Sequence, residues 1–314
     1  MALWWKKRRG NTLTVDIGSV AIKALVTTGA FPNGVSIRDF RVAYASTPSK
    51  PLGASECSKL LRDMLSQLSI VTTDVRCIIS GRHCIVRIIE LPHATREELR
   101  KTIGFQLSRY VPLNPDESVF DCVPLNGASS REGWQKCVLV ATRRAVVDGI
   151  NDTLREFNFV PLILDAEPLA VVNAFMASAD AFDREHSLPH IERGGVGVLH
   201  IGMSHTDICI LQGRSLVACR SIDTGELDII KEFAAQTRVE FGDALAACSQ
   251  SLDLAPDVRA VHALILGRII NEMRTSFEYC KRDYDFSCER VYITGGLADR
   301  IGIAGIAKEL CGAP

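Results

Sequence analysis

Leu13-Thr14-Val15-Asp16-Ile17-Gly18-Ser19-Val20-Ala21-Ile22-Lys23-Ala24 reads as an apolar strand, an Ile-Gly turn with small polar residues, and a second strand. Val196-Gly197-Val198-Leu199-His200-Ile201-Gly202-Met203-Ser204-His205-Thr206-Asp207-Ile208 repeats the pattern. Each predicts a β-hairpin whose turn can cradle phosphate. Glycine permits positive φ and leaves no Cβ between backbone N–H groups and an incoming anion. Two such hairpins far apart in the chain predict two lobes closing on a nucleotide. The copies differ at one chemically important place, where Asp16 of the first becomes His200 of the second.

Tyr292-Ile293-Thr294-Gly295-Gly296-Leu297-Ala298 supplies a third glycine turn after a buried strand, with a helix start beyond it. Helix starts favour anions. The nucleotide-binding residues expected from the three turns are Asp16, Gly18, Ser19, Lys23, Gly202, Ser204, Thr206, Gly295 and Gly296. Ser19 offers a hydroxyl donor and Lys23 a point charge. Asp16, at a strand end, is the expected ligand for Mg²⁺ through water. Taken singly, each turn is also what an ordinary hairpin or strand-to-helix connection looks like.

Composition bounds the rest. The 314 residues exceed one typical domain, with 47% hydrophobic and 23% charged residues and a net charge of −1. Such a chain has material for a core and no global field that would recruit nucleic acid. No apolar run approaches the ~18–20 residues of a membrane span, and no secretory leader is evident. The eleven cysteines are scattered, with apolar neighbours and no C-x-x-C pair, so they predict reduced core residues in a cytosolic protein.

The opening Met1-Ala2-Leu3-Trp4-Trp5-Lys6-Lys7-Arg8-Arg9-Gly10 reads as a basic tail able to rest at a membrane interface. After the first hairpin come a strand over Val35–Ala43, an amphipathic helix over Ser55–Leu68 and a buried strand over Val75–Ser80. This β-β-β-α-β order is that of half an actin-like or ribonuclease H-like domain. Thr95 with Glu98 predicts a capping box opening a helix that runs to Tyr110. Paired strands over Phe120–Leu125 and Cys137–Thr142 follow, then a helix over Arg143–Phe157 and a strand over Pro161–Leu164. A helix from Glu167 is expected to end near Ser178, with polar chain crossing to the second lobe. The predicted organisation is a tail 1–10, a first lobe 11–81 and 160–185, a small α+β insertion 82–159, and a second lobe 190–314.

Further sequences narrow the reading. They are Ser80-Gly81 leading to Ile89-Glu90-Leu91-Pro92, Arg96-Glu97-Glu98-Leu99, Tyr110-Val111-Pro112-Leu113, Asp121 with its strand, and Leu164-Asp165-Ala166-Glu167-Pro168-Leu169-Ala170. With the three turns in this order, the chain resembles the actin-like ATPase superfamily of actin, heat-shock chaperone ATPases, sugar kinases and the division protein FtsA. Within it, residues 11–312 resemble the PilM family of type IV pilus assembly. The resemblance implies an α/β actin-like ATPase (ribonuclease H-like) fold, with two lobes around a nucleotide cleft and an inserted subdomain. It implies ATP and Mg²⁺ as cofactors. It also implies a cytoplasmic protein peripheral at the inner membrane, gripping the N-terminal tail of a PilN-like bitopic membrane protein whose own partner is PilO-like. The peptide groove would lie between core and insertion, with Ile88, Leu91, Leu107, Tyr110, Val111 and Leu113 as wall residues; packing inside the insertion is the plainer reading of each.

The chain departs from this pattern in places. Family members usually carry a second Asp-Ile-Gly. Neutral imidazole at His200 is a poor Mg²⁺ ligand, which argues for weak or degenerate nucleotide binding and at most slow hydrolysis. On the adenosine side, the Ala-Glu…Lys signature is replaced by Ala244-Leu245-Ala246-Ala247-Cys248, with Glu240 and Asp243 nearby. Asp165 and Glu167 stand where the superfamily places water-orienting groups, and are the candidate catalytic residues. The family normally continues past the last helix, so either a truncation or a short member is expected. A scaffold of a type IV pilus or related type II secretion complex is therefore favoured, with room for a homo-oligomer. An active ATPase or small-molecule kinase, and an FtsA-like filament protein, are the alternatives.

Overall fold

A computed structural model of the chain describes residues 11–29, 34–68, 74–128, 131–186, 194–249, 256–284, 287–298 and 302–311. The basic tail, most of the expected crossing after residue 186, and the last three residues lie outside them. The described chain divides into two compact units, Met1–Ala170 and Val171–Pro314.

The first unit opens with β1 (Asn11–Ile17), β2 (Ala21–Thr28), β3 (Ser36–Tyr44), α1 (Ala54–Ser66) and β4 (Asp74–Ile79). Leu13 and Val15 of β1 alternate with polar residues and turn to one face, as do Ile22, Ala24 and Val26 of β2. Cys57, Leu61 and Met64, three to four residues apart, form the stripe of α1 that meets this face. The chain continues through β5 (Cys84–Pro92), α2 (Arg96–Tyr110), β6 (Ser118–Ala128), β7 (Trp134–Arg143), α3 (Arg144–Arg155), β8 (Ile163–Ala166) and α4 (Glu167–His186). The five-stranded sheet has the order β3-β2-β1-β4-β8, antiparallel through β1 and parallel from there on.

β5, β7 and β6 form a separate antiparallel sheet. α2 covers it, burying Leu99, Ile103 and Leu107 against Leu91, Cys122, Cys137 and Leu139. The capping box is present in both directions: Thr95 Oγ1 accepts from the Glu98 N–H, and Glu98 accepts from the Thr95 N–H at 2.8 Å. α3 contributes Ile150 and Leu154 to the core of the five-stranded sheet.

α4 runs eight residues beyond the expected end at Ser178, to His186, and the boundary between the units falls within it. Alanine, glutamate and arginine in that stretch favour helix.

The second unit contains β9 (Gly195–Ile201), β10 (Thr206–Gln212), β11 (Ser215–Ile222), α5 (Glu226–Thr237), α6 (Phe241–Cys248), α7 (Pro256–Tyr284), β12 (Cys288–Gly295) and α8 (Ile303–Cys311). Its sheet order is β11-β10-β9-β12, with β12 parallel to β9. Leu199, Ile201 and Ile208 face α5, α7 and α8. On the other face, Phe175 of α4 meets Tyr292 with ring centroids 4.9 Å apart. Burial on both faces explains why β9 and β10 read as nearly unbroken apolar runs. Nine of the cysteines are buried thiols, as expected.

Candidate functional site

In the first unit the register builds one transverse row. Val42, Lys23, Asp16, Ile78 and Asp165 are successive cross-strand partners from β3 to β8. Directly opposed residues share a face of the sheet, so Asp16, Lys23 and Asp165 are brought together although far apart in sequence. Lys23 Nζ is 2.8 Å from Asp16 Oδ2. Burial disfavours the ammonium, but the Asp16 carboxylate, its hydrogen bond, and Glu167 outweigh this and hold Lys23 above the ordinary lysine value. Glu167 Oε2 accepts from the Gly81 N–H at 2.9 Å. Asp165 accepts from the Ala166 N–H at 2.9 Å.

Burial pushes the Asp165 carboxyl up, while the Ala166 N–H and Arg76 pull it down by less. The folded chain therefore holds this proton to higher pH than the unfolded chain, and the carboxylate costs stability as pH rises through that interval. Asp165→Asn is expected to raise the melting temperature near neutrality and flatten its pH slope. Thermal melts between about pH 4 and pH 8 check this; an unaltered slope would count against a desolvated carboxylate here.

The Gly18 N–H closes its own turn on Ala21 O at 2.9 Å, and a Cβ at Gly18 would lie 2.9 Å from the same oxygen. A side chain there disturbs the turn itself, so Gly18 contributes shape and not a donor. Ser19, half-buried, holds the turn to the following loop by accepting from the Leu52 N–H.

The second unit repeats the row. Ser221, Asp207, His200 and Thr294 are successive partners from β11 to β12. His200 Nδ1 and Thr294 Oγ1 are 2.7 Å apart, and Ser221 donates to Asp207 Oδ1. Asp207 is fully buried and its Oδ2 has no hydrogen-bond partner; His205 Nε2 is 3.7 Å away. Ser204 Oγ is also buried without a partner. Asp16 and Lys23 face each other across the first hairpin, and His200 and Asp207 across the second. The acid and the base have exchanged strands. The carboxylate missing at 200 is present on the neighbouring strand at 207.

The second and third glycine turns come together as the sequence suggests. Gly295 is the register partner of Ile201, and Gly296 donates to Ile201 O at 3.2 Å. α5 seals the second turn, with Glu226 N–H on Gly202 O at 3.0 Å and Leu227 N–H on Met203 O at 2.8 Å. Three expected ligand contacts need correction. Thr206 is fully buried and donates to Thr224 O at 2.7 Å, so its hydroxyl holds the loop before α5. The amides of Gly202 and Gly296 are spent on His205 O and Ile201 O. A turn must close its own hydrogen bonds before it can offer any. On the adenosine side, Ala244 and Cys248 of α6 face the core, while Glu240 and Asp243 are exposed.

Three nominated groove walls are also corrected. Leu91, Leu107 and Val111 are buried within the packing of α2 on its sheet. Ile88, Tyr110 and Leu113 are half-buried and remain accessible. Missed by sequence reading were Asp207 and Glu226, the latter buried with a carboxylate oxygen 3.0 Å from where a Gly296 Cβ would stand. Overlaying the two hairpins would have found Asp207, since it occupies the place of Lys23.

ATP and Mg²⁺, the group this fold implies, suit the second hairpin. Ser204 Oγ is an orphaned hydroxyl fit for a phosphate oxygen, and Asp207 Oδ2 an orphaned oxygen fit for a hydrated cation. In the first unit, taken by itself, Asp16 would offer an oxygen to a cation and Lys23 an ammonium to phosphate.

Two sheets sharing the order third, second, first, fourth strand, each opened by an Ile-Gly hairpin, define an actin-like ATPase fold. The chain belongs to the family described as type IV pilus assembly protein PilM, whose family model matches residues 14–311. It is similar to the solved PilM-PilN type IV pilus biogenesis complex, with a TM-score of 0.75, 22% identity, and coverage of 98% of this chain and 87% of that one. It is also similar to the ethanolamine utilization protein EutJ from Carboxydothermus hydrogenoformans, with a TM-score of 0.52, 13% identity, and coverage of 98% and 84%. MreB 5 of Spiroplasma citri bound to AMPPNP gives a TM-score of 0.50, 12% identity, and coverage of 98% and 91%. No curated protein matches the sequence. Among the described residues, no helix is long and apolar enough to cross a membrane.

Proposed function

We propose that this type IV pilus assembly protein is a cytoplasmic scaffold, peripheral at the inner membrane, that grips the N-terminal tail of a PilN-like membrane protein. The family match over residues 14–311 carries this reading. The described surface supports it. The half-buried Tyr110 and Leu113 pack at the α2-covered face of the three-stranded sheet, and the half-buried Ile88 stands on its other face, so apolar area is offered on both sides without exposing the sheet's core. An extended tail would gain affinity from such area and specificity from the side chains around it. We place the inserted subdomain at β5 to β7, because α3 returns to the core of the five-stranded sheet.

Nucleotide serves this scaffold as a structural ligand. In the first unit Asp16, Ser19 and Lys23, and in the second unit Ser204 and Asp207, are the residues proposed to meet phosphate and cation, and turnover is slow. A second reading, a working ATPase, is favoured by one observation: Asp207 restores an oxygen ligand that His200 had removed.

Fluorescence anisotropy with a labelled peptide copying the cytoplasmic end of the PilN-like partner tests the scaffold. Saturable binding with Kd of roughly 1–100 µM is expected, weakened about tenfold by Ile88→Asp or Leu113→Asp. An absence of binding at the highest peptide concentration would remove the PilN-like reading. In the same preparation, Mg²⁺-dependent binding of a fluorescent ATP analogue should fall about tenfold in Asp207→Asn. Turnover of several ATP per second would replace the scaffold by the ATPase.

A further inference from the structure

The hydrogen-bonding phase of the second unit's sheet is fixed at its hairpin. The Gly202 N–H donates to His205 O at 2.9 Å, and bonded pairs recur at every second residue of an antiparallel ladder. His200 with Asp207, and Val198 with Cys209, are therefore bonded pairs between β9 and β10. Asp207 and Cys209 spend their backbone groups on β9. Their pairings with Ser221 and Cys219 on β11 are consequently of the non-bonded kind, in which side chains stand closest. Both pairs show this closeness: Ser221 donates to Asp207 Oδ1, and Cys209 Sγ lies 3.5 Å from Cys219 Sγ.

Among the cysteines of the described strands, Cys209 and Cys219 alone are register partners. Cys122 faces Leu139 and Cys137 faces Pro124, so that pair is only diagonal. Non-bonded partners have Cα atoms ~4.5 Å apart, inside the ~4.4–6.8 Å that a disulfide spans. The register irregularity between β10 and β11 falls after Ile210 and leaves this pair regular. Bond formation asks for side-chain rotation that brings the sulfurs from 3.5 Å to roughly 2.05 Å. The two thiols differ in access. Cys209 has no exposed surface, while Cys219 retains 7% on β11, an outer strand of its sheet. A small neutral oxidant therefore reaches Cys219 first.

We propose that Cys209 and Cys219 form a reversible dithiol–disulfide site whose oxidant is a peroxide. Cys219 Sγ, as the thiolate, attacks one peroxide oxygen. The O–O bond breaks, the hydroxide released takes the thiol's proton and leaves as water, and a sulfenic acid remains on Cys219. Cys209 Sγ then attacks the Cys219 sulfur. The S–S bond forms, the S–O bond breaks, and the hydroxide leaves with the Cys209 proton as a second water. Two thiols lose two electrons and one peroxide gains them. The new bond ties the outer strand β11 to β10, on the face that carries the neighbouring Ser221–Asp207 contact. A dithiol reductant reverses it. This inference does not depend on nucleotide or on the pilus partner.

The test uses the reduced wild-type chain and hydrogen peroxide, raised until Cys288, which is less buried than the other described cysteines, is oxidised. Alkylation in denaturant, trypsin and non-reducing mass spectrometry follow. Cleavage after Arg193, Arg214 and Arg220 puts Cys209 and Cys219 on separate peptides, each with a single cysteine. Peptides 194–214 and 215–220 should appear joined, about tenfold above any other cysteine pair, because the sulfurs are already adjacent. Dithiothreitol should separate them. In Cys209→Ala, which removes the resolving thiol, dimedone should trap a sulfenic acid on Cys219. The Arg220 amide, paired with Ile208 in this phase, should exchange about tenfold more slowly in the oxidised protein; equal exchange would deny the tie between the strands. Absence of the joined peptides once Cys288 is oxidised would overturn the proposal. So would a link that forms only in denatured protein, or one no more abundant than Cys122 joined to Cys137.

Discussion

Gly295→Val is expected to destabilise the second unit by about 3 kcal/mol or more, with a fall in melting temperature of roughly 10 °C. Gly295 has φ +96°, a region valine does not tolerate, and a Cβ there would lie 2.2 Å from Ile201 O and 2.8 Å from its carbonyl carbon. Both neighbours are backbone of the central strand β9, so neither can swing away. The adjacent Gly296 is the control. A Cβ there meets only the Glu226 carboxylate at 3.0 Å, the far end of a side chain, and Gly296→Ala should cost less than half as much. Thermal and urea denaturation separate the two. Equal melting temperatures would mean that β9 and β12 do not approach as described.

Leu107→Ala should cost about 2–5 kcal/mol, the range for truncating a fully buried leucine. Leu107 has no exposed surface and lies among Leu91, Leu99, Ile103 and Leu139. Phe105, two residues earlier on the same helix, is 91% exposed; Phe105→Ala should change stability by less than about 0.5 kcal/mol. The pair separates the two readings of this region. If Leu107 walls a peptide groove, its truncation weakens peptide binding and leaves the melting temperature near wild type. If it holds α2 on the three-stranded sheet, the melting temperature falls, and peptide affinity falls only as the subdomain loosens. Urea titrations alongside peptide titrations decide between them, and the second outcome is expected.

Much of the fold was legible because its signals are local. The capping box at Thr95 and Glu98, the stripe of Cys57, Leu61 and Met64, and the Ile-Gly hairpins each place interacting atoms within a few residues of one another. The resemblance to the PilM family, read from turns and short motifs, is borne out by the family match. The end of α4 was not legible. Polar helix and polar loop share a composition, and only packing and capping separate them.

The contacts around the candidate residues were less legible than the turns that carry them. Sequence located the turns, but not which hydroxyl or amide each turn would consume. Thr206 and Gly296 were spent inside the second unit, while Ser204 was left over. Asp207 escaped notice because its meaning depends on standing opposite His200 on another strand.

From the order of residues alone came two glycine hairpins, an actin-like succession of strands and helices, and a reduced, charge-balanced chain. These follow from propensity, periodicity and turn chemistry, which act over a few neighbours. Tertiary structure alone decided that Asp16, Lys23 and Asp165 share one row, and that His200 and Asp207 share another. It also decided that Leu107 belongs to a core. Those outcomes depend on strand register and on which element covers which face, and both are settled only when distant segments compete for the same buried surface.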